Sequence, residues 1–90
     1  MKSIVITLLL TMNLAAAADR SEINLINKTQ IPLTQAVDLA LNEIPGKAFE
    51  VDLDSIRRLP VYEVSILTDD RVYEVTIDAI NGTILKVDLD

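Results

Sequence analysis

Carboxylates are the side chains most available for chemistry in this chain. It carries fourteen Asp and Glu against eight Lys and Arg, a net charge of −6, with no histidine and no cysteine. Ser-His-Asp and Cys-His catalysis are thereby excluded within the chain, as is the usual zinc ligand set. Carboxylates alone can gather a hard cation through oxygen or attract a basic surface. Four of them, Asp52, Glu63, Glu74 and Asp88, sit at alternate positions of strand-like segments and would line up as a band across one sheet face. A calcium ion or a basic partner could settle there; the plainer alternative is a solvated acidic face kept for solubility. Asp69-Asp70 fits a turn better than a metal site, because calcium wants six or more oxygens. Arg57-Arg58 is the one paired cation and could meet a partner's carboxylate, or simply be a solvated loop. Nucleic acid is an unsuitable partner for so acidic a chain.

The band exists only if the strands hold their register. Val61-Tyr62-Glu63-Val64-Ser65-Ile66 returns eleven residues later as Val72-Tyr73-Glu74-Val75-Thr76-Ile77. Each copy alternates apolar and polar residues at period two, the pattern of a strand with one buried face. With Asp69-Asp70 as the tip of a hairpin, Ile66 faces Tyr73, Val64 faces Val75 and Tyr62 faces Ile77. A slip of one residue would turn a strand inside out. Tyr62 and Tyr73 have inward parity and read as core residues with their hydroxyls at the rim.

Two further strands flank the hairpin. Lys47 to Asp54 alternates with Phe49, Val51 and Leu53 inward, and Ser55 to Leu59 forms the connection to a strand opened by Pro60. Ala79-Ile80-Asn81-Gly82 is a strong turn signal, with Gly82 suited to a left-handed angle that closes a three-residue loop. It sets Ile77 against Leu85 and Val75 against Val87, with Leu85, Val87 and Leu89 inward. Asp52 then lies opposite Glu63 and Glu74 opposite Asp88, while Lys86, diagonal to Glu74, is the nearby cation.

Before the strands comes one amphipathic helix. Ile31-Pro32-Leu33 favours an extended approach, and Thr34 can cap the helix. Leu33, Val37, Ala40, Leu41 and Ile44 share one face, Leu39 lies off that stripe, and Pro45-Gly46 ends the helix. The expected fold is therefore α+β: one helix on one face of a four-stranded antiparallel meander, in the order helix-β-β-β-β, with the other face left to solvent.

The first eighteen residues read as a secretory signal peptide. A short basic start at Lys2 precedes a mostly apolar run from Ile4 to Leu14 and small residues ending at Ala18, with cleavage expected before Asp19. The uncharged stretch from Ser3 to Ala18 is 16 residues, short of the roughly 20 that a spanning helix needs. Cleavage removes Lys2 as its only charge, so the remaining chain is more acidic still, and no membrane span is expected in it. Residues 19–30 read as a loosely ordered arm or one laid across the domain, and residues 31–90 as the domain itself. Without cysteine the core must hold it unaided.

The fragments Leu33-Thr34-Gln35-Ala36-Val37-Asp38-Leu39-Ala40-Leu41, Ile44-Pro45-Gly46-Lys47 and Pro60-Val61-Tyr62-Glu63-Val64 resemble the PepSY domain in order and spacing. So do Thr68-Asp69-Asp70, Val72-Tyr73-Glu74-Val75 and Asp78-Ala79-x-Asn81-Gly82-x-Ile84-Leu85. Two departures stand out: neither the turn after Asp70 nor the Ser55–Leu59 connection carries a glycine. The resemblance implies a non-enzymatic, exported binding or regulatory module without cofactor, similar to a segment of metallopeptidase propeptides that restrains the protease. A protein partner, such as an exported peptidase, follows from it. The alternative from another class is a cation-binding or sensory accessory protein of the cell envelope that uses the acidic face.

Overall fold

The computed structural model describes residues 17–90, so the signal peptide reading falls almost wholly outside the described residues. Two helices, α1 (Arg20–Lys28) and α2 (Leu33–Glu43), precede four strands, β1 (Lys47–Ile56), β2 (Leu59–Thr68), β3 (Arg71–Asp78) and β4 (Ile84–Leu89). The strands form one antiparallel sheet in the order β1-β2-β3-β4. The α+β class and the meander are as expected. Helix α1 is an addition, standing where an arm, loosely ordered or laid across the domain, was expected; it leans on β1 and β2. Asp19 caps it by accepting from the Glu22 amide at 2.9 Å, and Lys28 lies in the last turn, where a cation suits the helix dipole. No helix among the described residues is long and apolar enough to cross a membrane.

The central hairpin has the register its repeated phrase predicts: Tyr62 faces Ile77, Val64 faces Val75 and Ile66 faces Tyr73. All of these but Tyr73 are buried and form the core with Ala36, Ala40 and Ala79. Tyr73, expected in the core, is only half-buried, because it stands opposite Leu89 beside the uncovered β4. Two alanines at the centre of the α2 face let the helix lie close on β2. Of the stripe expected for α2, Ala40 is buried and Leu41 and Ile44 pack on the core. Its first turn differs: Ala36 is buried, while Leu33 is 43% exposed. Leu39, off the expected stripe, packs on the core and reaches toward Gly82. Thr34 is not the cap; Pro32 holds the N-cap position and the helix starts without a side-chain cap. Pro32's extended angles already end the preceding segment, and its carbonyl accepts from the Gln35 and Ala36 amides.

Each flanking strand carries one irregularity that period-two alternation does not foresee. In β1 the register shifts between Ala48 and Glu50, so Phe49 is the extra residue of a bulge and is 56% exposed rather than inward. Ala48 takes the inward place. In the β3–β4 pair the shift falls between Thr76 and Ile77. Ile77 therefore meets Ile84, not Leu85, while Val75 meets Val87 as expected. Leu85, Val87 and Leu89 are 45%, 39% and 54% exposed, because α2 packs on β1, β2 and β3. The expected inward burial of these three residues is thus not realised.

The connections are tighter than expected. Ser55 and Leu59 belong to strands, and only Arg57 and Arg58 turn the chain, at φ of 51° and 71°. Gly82 does take a left-handed angle, φ 81°. Gly46 does more than follow the end of the helix: a Cβ there would collide with the Leu67 carbonyl oxygen. The outer face is also drier than expected. Val61, Ser65 and Thr76 point outward by register yet are 0%, 7% and 1% exposed. Each is a short side chain on a central strand, shadowed by longer residues directly opposite on both neighbouring strands.

One set of hydrogen bonds ties the helices to the sheet. The Gln30 and Ile31 amides both donate to the Ala79 carbonyl, at 2.8 and 3.1 Å, and the Ala79 amide donates to Pro60. The Tyr62 hydroxyl, carried by a side chain 4% exposed, donates to the Ile31 carbonyl at 2.9 Å. Removing that hydroxyl leaves a partly buried carbonyl unpaired. Tyr62→Phe should therefore lower stability by about 1–2 kcal/mol, measured by urea unfolding, with the fold retained by circular dichroism. Tyr73→Phe, which removes no such bond, should change it by less than about 0.5 kcal/mol.

Candidate functional site

The expected acidic band is present. Asp52 pairs with Glu63 across β1–β2 and Glu74 with Asp88 across β3–β4. Glu63 and Glu74 are diagonal neighbours, since Glu63 faces Thr76 and Glu74 faces Ser65. The four carboxylates run in a row and do not converge: among the described residues no three His, Cys, Asp or Glu side chains are grouped to hold a metal ion. Lys86 stands opposite Thr76, and its ammonium lies 3.2 Å from Asp88 rather than on Glu74. Sequence reasoning missed Thr76. Its hydroxyl is buried in the middle of the band, between Glu63 and Lys86, without a hydrogen-bond partner.

Glu63 bears the electrostatic consequence. Burial pushes its carboxyl above the ordinary glutamate range, Glu74, Asp54 and Asp52 push it further, and Lys86 opposes them. Asp54, one strand position beyond Asp52, is a contributor that the four-residue band left out. Asp69 and Asp70 form the β2–β3 turn as expected, Asp69 at φ 54°.

A second arrangement lies on the opposite side of the β1–β2 hairpin. Helix α1 leans on β1 and β2, and between them opens a groove of about 540 Å³. It is lined by Ser21, Glu22, Leu25 and Lys28 of the helix and by Leu53 and Arg58 of the hairpin, among others. Its volume falls within the 300–1,000 Å³ range of ligand clefts, and its lining mixes apolar side chains with both signs of charge. Arg58, an exposed residue of the turn, is among the groove's lining residues, and Arg57, its neighbour, is not. The helix half of this groove went unseen in the sequence. Its signal was Asp19-x-x-Glu22, a cap followed three residues later by glutamate. Besides the Glu22 amide, Asp19 accepts from the Ser21 hydroxyl at 2.7 Å. The Ser21 hydroxyl and then the Glu22 amide hold its carboxyl below the ordinary aspartate range.

A helix-covered antiparallel meander with a mixed groove and a row of carboxylates defines a small α+β domain. The chain belongs to the PepSY family, described as the peptidase propeptide and YPEB domain, which it matches over residues 30–88. A solved structure with the same fold is that of a protein described as a lipoprotein from Clostridium difficile 630. The two share 30% identity and a TM-score of 0.67 over 70% of this chain and 41% of that one. The chain thus spans about two fifths of that protein's length. Among curated proteins, none matches the chain significantly.

The raised Glu63 carboxyl has a measurable sign. A carboxylate whose folded pKa is raised binds its proton more tightly in the native state. Stability then falls as pH rises from the ordinary glutamate pKa through the raised value, and the loss is complete above it. Glu63→Gln removes this term. The variant should be more stable than the parent at pH 7 by up to about 1 kcal/mol, a few degrees in melting temperature. The two melting temperatures should converge at pH values below the ordinary glutamate pKa, as thermal scans across pH would show.

Proposed function

We propose that the protein is an exported, non-enzymatic module of the cell envelope that binds and modulates a partner protein, with an exported peptidase as the partner of first choice. The observation that carries this reading is the groove between α1 and the β1–β2 hairpin, with Arg58 at its mouth. Two-residue hairpin loops with both angles positive favour Asn-Gly, because a Cβ crowds the backbone there. Arg57 and Arg58 occupy both positions. The fold accepts a backbone cost at this turn, and it gains two cations next to a concave surface. An extended acidic segment of a partner could lie in the groove, its carboxylate paired with the Arg58 guanidinium and its apolar side chains against Leu25 and Leu53. The family description as a peptidase propeptide supports the choice of partner, and the lipoprotein relative supports the envelope location.

The test is binding and inhibition of each peptidase exported by the same cell. At least one should be bound and slowed by the protein, and Arg58→Glu should weaken that binding about tenfold or more, as expected for a desolvated charge pair turned repulsive. Arg57→Asn with Arg58→Gly should separate stability from function. It should raise unfolding free energy by about 1 kcal/mol while weakening partner binding, a trade expected of strain held at a functional surface. No binding to any peptidase of the set would overturn the reading.

A second reading is supported by the orphaned Thr76 hydroxyl in the acidic band. On this reading a hydrated calcium ion or a partner's ammonium group settles over Glu63 and Glu74 and takes up that hydroxyl. Calcium should then raise the melting temperature beyond an equal ionic strength of sodium chloride, and Glu63→Gln with Glu74→Gln should abolish the gain. Equal effects of the two salts would leave the band as a charged surface only.

A further inference from the structure

We propose that the β4 edge pairs with β4 of a second copy of this chain, in an antiparallel register centred on Val87. The inference is independent of the groove. It begins from the sequence of the strand: Leu85-Lys86-Val87-Asp88-Leu89 reads as apolar, basic, apolar, acidic, apolar. Laid antiparallel on itself about Val87, the segment sets Leu85 against Leu89 of the second copy and Lys86 against its Asp88. Both pairs occur twice by symmetry, so the edge is self-complementary in charge and in hydropathy, as an isologous two-fold contact requires. Centring on Lys86 or on Asp88 would instead set like charges together.

The backbone allows that register and no shift of one residue. The Asp90 amide donates to the Val72 carbonyl of β3 at 2.8 Å. By the alternation of an antiparallel ladder, Asp88 and Lys86 also direct their polar backbone groups toward β3, while Val87 and Leu89 direct theirs to the free edge. A Val87-centred pair therefore makes its hydrogen bonds through residues whose groups are unpaired in a single copy. Lys86 and Asp88 then fall at non-hydrogen-bonded positions, where facing residues approach to about 4.5 Å between Cα atoms.

The side chains await such a neighbour. Leu85, Val87 and Leu89 are exposed along one strand, an arrangement that sheets ordinarily blunt. Both edges carry a bulge, at Phe49 and at Leu85, but the other edge adds three carboxylates of one sign, Glu50, Asp52 and Asp54. Lys86 and Asp88 now satisfy each other within the strand at 3.2 Å, each about half exposed. In the pair, Lys86 of the second copy also meets Asp88, which faces Glu74, so the contact relieves repulsion inside each copy. One pair of short edges buries less than the roughly 1,200 Å² of a strong interface, so the dimer should form in the micromolar range.

The experiment is sedimentation equilibrium, over a concentration series and at fixed salt, on the protein in the form its cell accumulates. The parent should show a monomer–dimer equilibrium. Lys86→Asp and Asp88→Lys should each weaken self-association about tenfold or more, since each turns both charge pairs repulsive. Mixed together, the two variants should form a heterodimer, and the double exchange of the two charges should restore the homodimer. Val87→Pro should also abolish pairing while leaving the sheet intact, because that amide bonds nothing in β3. A parent that stays monomeric at millimolar concentration, a dimer indifferent to both charge variants, or two folded variants that fail to pair would each overturn the proposal.

Discussion

The fold depends on how Ala79 and Tyr62 hold the segment between the two helices. A sheet this small can be covered by a helix in several orientations, and the apolar faces of α2 and the hairpin do not choose among them. The Ala79 carbonyl takes two amides from Gln30 and Ile31, and the Tyr62 hydroxyl takes the next carbonyl. These bonds are directional and sit where α2 begins, so they set the place from which it crosses the sheet. Asp78 makes the arrangement possible. Its carboxylate accepts from the Ile80 amide at 2.7 Å, and its backbone pairs with Gly82 and Thr83, which closes the β3–β4 loop around Ala79. A chain without disulfides thus uses a polar knot at one corner to orient an apolar core.

The two faces of the sheet carry opposite problems. On the inner face the helix leaves β4 uncovered, and its leucines and valine remain in contact with water. On the outer face carboxylates stand opposite one another, a mildly destabilising placement in a high-dielectric setting. Asp88 stands at the second of these, facing Glu74 on β3 and taking Lys86 of its own strand. The groove at α1 is a third departure, since it holds charge at a turn that would be more stable with Asn-Gly. Each lies at a surface, and none weakens the core built from the repeated phrase.

What the sequence made legible follows the physics of period-two alternation. The register of the central hairpin could be read because the inward apolar residues Tyr62, Val64 and Ile66 meet apolar partners in only one alignment. The acidic band followed from the same register. The bulges at Phe49 and Leu85 could not be read, because a single inserted residue leaves the local composition unchanged and reverses parity only beyond it. Helix α1 was passed over because its apolar residues are few and none is buried; its cap was the only local sign. The first turn of α2 departs from its expected stripe because close packing on a sheet selects Ala36 over the larger Leu33, while Ala40, Leu41 and Ile44 keep their places.

The same reasoning explains why the groove was harder to foresee than the band. A band on a sheet is a local consequence of strand parity, so residues scattered along the sequence fall into line once the pairing is known. A groove between a helix and a hairpin depends on where the helix leans, and that is decided by weak contacts. Helix α1 buries no residue, and it touches β1 and β2 only lightly. An element with so small a hold on the domain has low local stability, and it can move without disturbing the core. On the proposed function, that property suits one wall of a docking cleft. Its partner wall, the Arg57–Arg58 turn, is by contrast held at both ends by the long β1–β2 ladder. Under that proposal, a charged hairpin facing a lightly held helix closes on an inserted segment at small conformational expense, while the sheet behind it stays unchanged.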